Sequence, residues 1–182
     1  MASGAMTQRL DATFETGYPD TPALLERARE MFREYERSIG VDLCFQSFEQ
    51  EVASLPGAYA PPRGRLFLAF SDGELAGCVC LRPADGRAGE MKRLYVRPEF
   101  RGRGLGGRLV RLILSEAASA GYARVVLDTL PSMGEAQALY ERVGFRDVPP
   151  YGFNPIAGAR YMALEIAAPA SDASPSRENQ GR

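Results

Sequence analysis

Apolar side chains recur along this chain in two different periods, and the switches between them mark out its elements. Leu24, Leu25, Ala28, Met31, Phe32 and Tyr35 fall three and four residues apart until Gly40 stops the run, the spacing of one face of an amphipathic helix. Thr21-Pro22 opens it with an N-cap hydroxyl and a first-turn proline, whose missing N–H has no helical partner to lose there. Ser47-Phe48-Glu49-Gln50 matches a capping box and predicts a shorter helix ending before Pro56-Gly57.

The period then changes. Arg65 to Phe70 and Leu75 to Leu81 are short apolar runs joined by Ser71-Asp72-Gly73-Glu74, and Asp-Gly between two such runs is a strong signal for a two-residue hairpin turn. After a turn around Asp85-Gly86, Glu90 to Val96 reads as a third strand. A segment rich in glycine and arginine, Arg101 to Arg108, leads into a helix with Leu105, Leu109, Leu112, Ile113 and Ala117 inward, ended by Gly121. Arg124 to Thr129 is a strand, Met133 to Val143 a helix and Arg160 to Ile166 a last strand. Strands first, then helix, strand, helix, strand, without repeats, predict a single mixed α/β domain.

Composition narrows the chemistry. The 182 residues carry 22 Lys+Arg against 23 Asp+Glu, a net charge of −1, which removes the bulk electrostatic argument for a partner such as nucleic acid or an anionic membrane. There is no histidine, so histidine-based nucleophilic triads, a histidine general base and histidine-ligated zinc are excluded. The three cysteines, Cys44, Cys78 and Cys80, show no metal or redox spacing and point to a reducing compartment, with the cytoplasm expected. Cys78 and Cys80 flank Val79, share one side of their strand and read as small buried apolar groups. No apolar run approaches membrane-spanning length. Residues 1–6 read as an appended, disordered remnant, 7–167 as the domain and 168–182, rich in Pro, Ser and Ala, as a disordered tail.

Gly102-Arg103-Gly104-Leu105-Gly106-Gly107 satisfies the spacing of a dinucleotide-binding fingerprint, with Asp128 on the following strand. That fingerprint needs a strand running straight into the first glycine, and Arg97-Pro98-Glu99-Phe100-Arg101 intervenes. The physical reading is broader. A loop of glycines at a helix start exposes several backbone N–H groups at the positive end of the helix dipole, a site for a pyrophosphate, with Arg97, Arg101, Arg103 and Arg108 supplying charge. A tight turn with a solvated arginine face is the plainer alternative.

Arg101-Gly102-Arg103-Gly104-Leu105-Gly106, preceded by Leu94-Tyr95-Val96-Arg97-Pro98, resembles the [Q/R]xxGx[G/A] segment of the GNAT superfamily of acyl-CoA-dependent N-acyltransferases. Leu139-Tyr140-Glu141-Arg142-Val143-Gly144-Phe145 resembles that family's LYExxGF segment, and the two stand in the family's order, separated by a helix and a strand. The resemblance implies a GNAT-like single domain, a mixed, mostly antiparallel sheet flanked by helices, and transfer of an acetyl group from acetyl-CoA directly to a primary amine without a metal. It also implies that the backbone of Leu94, Tyr95 and Val96 holds the pantetheine arm where their strand splays from Arg124 to Thr129. The backbone of Arg101, Gly102, Arg103, Gly104, Leu105, Gly106 and Gly107 would take the pyrophosphate, and the Val96 amide an oxyanion. Tyr140 matches the residue that protonates the leaving thiolate. Glu90 and Asp128 occupy strand positions where different relatives carry a general base, with Glu90 favoured slightly. Met133 departs from the family, many members of which carry asparagine there.

Each role has a structural competitor. Glu90 reads equally as a solvated strand-start charge, Asp128 as a strand-end pairing group and Tyr140 as a packed aromatic, while Phe145 reads as packing. Tyr151, Phe153, Asn154 and Tyr161 cluster around Pro149-Pro150 and Pro155 in a loop that could line the acceptor pocket. The acceptor is expected to be a small-molecule amine or a peptide. A CoA-binding module without turnover and a dinucleotide oxidoreductase are the competing functions.

Overall fold

The computed structural model describes residues 8–9, 14–43 and 47–166. Cys44, residues 1–6 and the 168–182 tail lie outside the described residues. Helix α1 (Pro22–Ile39) starts as its sequence predicts, with the Leu24 N–H donating to Thr21 Oγ1 at 3.2 Å, and ends at Gly40, whose φ of 64° a side-chain-bearing residue would resist. Helix α2 (Phe48–Ala53) lies where expected, but its capping box does not form. Ser47 is left-handed (φ 55°, ψ 41°) and its hydroxyl caps no N–H, because a capping side chain reaches back only from an extended N-cap backbone.

Strands β3 (Arg65–Ser71) and β4 (Glu74–Pro83) form the expected hairpin. Asp72 and Gly73 both have positive φ, as a two-residue turn matched to strand twist requires. Then follow β5 (Ala88–Val96), α3 (Leu105–Ser119), β6 (Arg124–Thr129), α4 (Gly134–Val143) and β8 (Arg160–Glu165). Three short strands escape the sequence pattern: β1 (Gln8–Arg9), β2 (Glu15–Gly17) and β7 (Arg146–Asp147). Two or three residues cannot display an alternation.

Among the described residues these strands form one sheet in the order β1-β2-β3-β4-β5-β6-β8-β7. Every pairing is antiparallel except β5 with β6. Helices α3 and α4 cover one face through Leu105, Leu109, Ile113 and Tyr140, packed on Val79, Met91, Val125 and Leu127. Helices α1 and α2 cover the other through Met31, Phe32, Phe48 and Val52, packed on Leu66, Leu68, Cys78 and Cys80. Both cysteines are buried free thiols, as expected, and burial pushes the Cys78 thiol up to about 12. No helix among the described residues is long and apolar enough to cross a membrane.

Candidate active site

Strands β5 and β6 pair only through Ala88, Gly89 and Glu90 against Arg124, Val125 and Val126. Beyond that point they part. The cause is visible on the other side of β5, where two steps along β4, from Cys78 to Cys80, match three along β5, from Tyr95 to Lys92. One residue is extra, a β-bulge, and such an insertion bends and twists its strand. Arg93 sits at the bulge with φ 56°. The resulting opening is lined by Lys92 and Leu94 from β5, Asp128 from β6, Met133 and Tyr140 from α4 and its N-cap, and Asn154.

Asp128 faces this opening with both oxygens engaged. Lys92 Nζ donates to Oδ1 at 2.9 Å and Asn154 Nδ2 to Oδ2 at 2.9 Å. Burial alone would raise the Asp128 carboxyl, but the Lys92 charge and the hydrogen bonds from Lys92 and Asn154 together hold it below the usual carboxylate range. Glu90, the other carboxylate singled out in the sequence, is 7% exposed rather than solvated. It does not line the opening; its Oε2 accepts from Arg82 at 2.7 Å and its Oε1 from the Tyr151 hydroxyl at 3.3 Å. Lys92 Nζ, 3.6 Å from Glu90 Oε1, therefore stands between the two carboxylates. Burial and the nearby Glu90 and Asp128 charges raise the Tyr151 phenol.

Tyr140 approaches the same opening from α4, 5% exposed. Burial, reinforced by Tyr35 and Asp128, raises its phenol above the ordinary tyrosine value, so the hydroxyl keeps its proton through the neutral range. Its ring lies 5.8 Å from Phe145, which is fully buried as the packing reading requires. Thus Tyr140 both packs and lines the opening.

The glycine loop lies at the N-terminus of α3. Gly102 and Gly104 have φ of 74° and 79°, and a Cβ built on either would meet nothing within 4 Å. Their side-chain faces look into open space, so a ligand can reach the backbone there. Gly106 serves differently, because its Cβ would lie 3.4 Å from Leu139 of α4; it sits at the α3–α4 contact while its N–H belongs to the open first turn. Arg101 Nε donates to the Val96 carbonyl at 2.9 Å, tying loop to strand. The expectation of four arginines around one anion needs correction: Arg97 is turned away, its guanidinium bidentate on Glu34 of α1 and bonded to the Leu75 carbonyl. Arg103 stacks over Phe14 and Phe100.

The dinucleotide reading fails on topology. The strand before the glycines is antiparallel to its predecessor, and a 3-10 turn at Pro98–Phe100 separates it from the loop. Met133 occupies the N-cap of α4 without a side-chain cap. The sequence reading also missed Lys92, Arg93 and Glu51. For Lys92 and Arg93 the available signal was two successive cations in a strand that is otherwise apolar but for Glu90.

The profile of the acetyltransferase (GNAT) family matches residues 23–145. An uncharacterised N-acetyltransferase of Schizosaccharomyces pombe is 40% identical, covering 80% of this chain and 91% of its own length. One from Dictyostelium discoideum is 29% identical over 72% of this chain and 89% of its own. Among solved structures, an acetyltransferase from Streptococcus agalactiae superimposes with a TM-score of 0.71 at 18% identity, covering 86% of this chain and all of that one. A sheet split beside a glycine-opened helix, the two sequence segments that flank the split and these matches converge, and the chain belongs to the GNAT family of acetyl-CoA-dependent N-acetyltransferases.

Proposed function

We propose that the chain moves the acetyl group of acetyl-CoA directly onto the primary amine of a small molecule, with the reaction centred in the opening between β5 and β6. The observation that carries this is the meeting, in one opening, of a buried protonated tyrosine and an ionised, fully hydrogen-bonded carboxylate. The residues fit the co-substrate: open glycines at the α3 N-terminus suit a pyrophosphate, and the stretch of β5 left unpaired on its β6 side, Leu94 to Val96, suits the amides of pantetheine. The amine nitrogen attacks the thioester carbonyl, and the C–S bond breaks as the tetrahedral intermediate collapses. Tyr140 gives its proton to the departing sulfur. The nitrogen's proton passes by way of Asp128 to solvent, and solvent returns one to Tyr140, so both residues end as they began.

Asp128 takes precedence here over Glu90, because it faces the opening and Glu90 does not. Its lowered pKa makes it a modest base, best suited to steadying the positive charge that forms on nitrogen. A small acceptor is favoured by the loop carrying Tyr151 and Asn154, which is pinned over the sheet by its bonds to Glu90 and Asp128 and narrows the approach. N-acetylaspartate synthetase of Danio rerio, 30% identical over 63% of this chain and 41% of its own length, has a small acetylated amino acid in its name.

A panel of small amines and of peptides, assayed by CoA thiol release, tests the acceptor class; turnover confined to peptides would reverse it. The acid role is tested by Tyr140→Phe. We expect kcat to fall about 100-fold with the acetyl-CoA KM little changed, and an unchanged kcat would remove Tyr140 from the chemistry.

A further inference from the structure

Arg93 is the only non-glycine residue with positive φ inside a strand among the described residues, and its side chain is among the most buried charges, 1% exposed. An arginine in left-handed backbone is unfavourable by itself and persists only where its surroundings fix it. Those surroundings are specific. Arg93 Nε and Nη2 donate to Glu51 Oε1 and Oε2 at 2.9 and 2.7 Å, a fork on fork pairing. Glu51 Oε1 also accepts from the Tyr59 hydroxyl at 2.8 Å. The guanidinium lies over the rings of Phe48 and Tyr35, at 5.2 and 5.6 Å. Tyr35 in turn packs edge-on against Tyr95, two residues along β5. On the backbone side, Cys78 Sγ donates to the Arg93 carbonyl at 3.2 Å. Beyond the bulge, a Cβ on Gly77, which pairs with Val96, would lie 2.5 Å from the Tyr95 carbonyl, so β5 is pressed tightly onto β4 there.

We propose that Arg93 and Glu51 are positioning residues: their buried ion pair, fastened from α2, fixes the β5 bulge and thereby aims the backbone of Leu94, Tyr95 and Val96 along the gap to β6. The bulge puts Lys92 and Arg93 on the same face of the sheet, one bonded to β6 and the other to α2. From Leu94 onward the alternation resumes with Leu94 and Val96 against the α3 face and Tyr95 against α1. A bulge that relaxed would return β5 to a plain ladder and shift that alternation by one residue. The clamp needs the forked geometry of arginine, since a lysine reaches Glu51 with a single point charge. This inference rests on the reading that acetyl-CoA lies along that gap.

Three proteins test it: wild type, Arg93→Lys, and the double variant Arg93→Gly with Glu51→Gln. Glycine accepts the left-handed backbone freely and the paired change leaves no unbalanced charge, so what is lost is the clamp together with its packing on Phe48 and Tyr35. Each protein is first shown to unfold cooperatively in urea. Coenzyme A is then titrated by calorimetry, amide hydrogen exchange is followed at Leu94 to Val96, and acetyl-CoA KM and kcat are measured with an active amine. In the double variant we expect the Kd for CoA and the KM for acetyl-CoA to rise about tenfold, kcat to change much less, and exchange at those three amides to quicken. Arg93→Lys, which keeps the charge beside Glu51, should show a smaller rise in the same direction. A folded double variant with wild-type CoA affinity overturns the proposal; if that variant does not fold, wild-type affinity in Arg93→Lys overturns it. Absence of CoA protection at Leu94 to Val96 in the wild type overturns the gap reading itself, a different failure from an unaffected variant.

Discussion

The two faces of β5 are built on opposite principles. Toward α3 and α4 it presents Met91, Leu94 and Val96 to an apolar cluster. Toward α1 and α2 it presents Glu90, Lys92 and Arg93, each buried and each held by an opposite charge: Arg82 on Glu90, Asp128 on Lys92, Glu51 on Arg93. The apolar face needs only the right volume, and packing tolerates exchange of one aliphatic group for another. The charged face tolerates far less, because a buried ion that loses its partner has no water to turn to. The first face supports α3 and its glycine loop, the part we propose for the pyrophosphate of the co-substrate. The second carries Lys92 and Arg93 into the opening, so substitution is most disruptive beside the site we propose for the reaction.

The contrast can be broken most forcefully at Lys92. Lys92→Met leaves Glu90 and Asp128 as buried carboxylates without the cation between them, and we expect roughly 3–5 kcal/mol less stability by urea unfolding near neutral pH. The loss has a sign in pH. The folded-state pKa of Asp128 is depressed, so its stabilisation is complete above the unfolded carboxylate pKa of about 3.9 and disappears as pH falls through the lower folded value. The stability gap between wild type and Lys92→Met should therefore be wide from pH 5 upward, by this same linkage, and narrow as acid protonates Asp128. A gap that stayed constant into acid would mean the cost is one of packing rather than charge.

The loop beneath the apolar face is sharpened by Gly104. Valine there would be strained by backbone alone, since φ is 79°, whereas asparagine tolerates left-handed geometry. Gly104→Asn should keep the fold and weaken CoA binding by about tenfold in a calorimetric titration, through crowding of the backbone amides. Unaltered affinity would move the pyrophosphate elsewhere.

A gain is expected at α4. Met133 provides no side-chain cap, and its φ of −97° and ψ of 46° are not the extended N-cap backbone, so only if the Met133→Asn backbone extends should a new N-cap bond form and raise stability by about 1 kcal/mol, read as a higher Tm; an unchanged Tm would mean the backbone stays as it is. At the small end lies Phe153, 81% exposed on the loop that Asn154 ties to Asp128. Phe153→Ala should change stability by less than about 0.5 kcal/mol. Any effect it has should fall on the acceptor KM and leave the acetyl-CoA KM alone, and the reverse pattern would place the acceptor on another side.

Local pattern determined much of this protein by itself. The α1 cap and stop, the Asp72-Gly73 hairpin, the runs of β5 and β6 and the glycines opening α3 each follow from interactions within a few residues, which the sequence spells out directly. Tyr140, which lines the opening, is singled out by the family resemblance of its segment. Only the tertiary structure decided the rest. It made Ser47 left-handed against its capping motif and turned Arg97 onto Glu34. It put Asp128 rather than Glu90 at the opening, and it placed an arginine in backbone that favours glycine. The last three share one physical reason: Arg97 depends on Glu34, 63 residues away, Asp128 on Lys92, 36 away, and Arg93 on Glu51, 42 away, and on one extra residue in its strand, and the period of a single strand carries no record of what its neighbour pairs with.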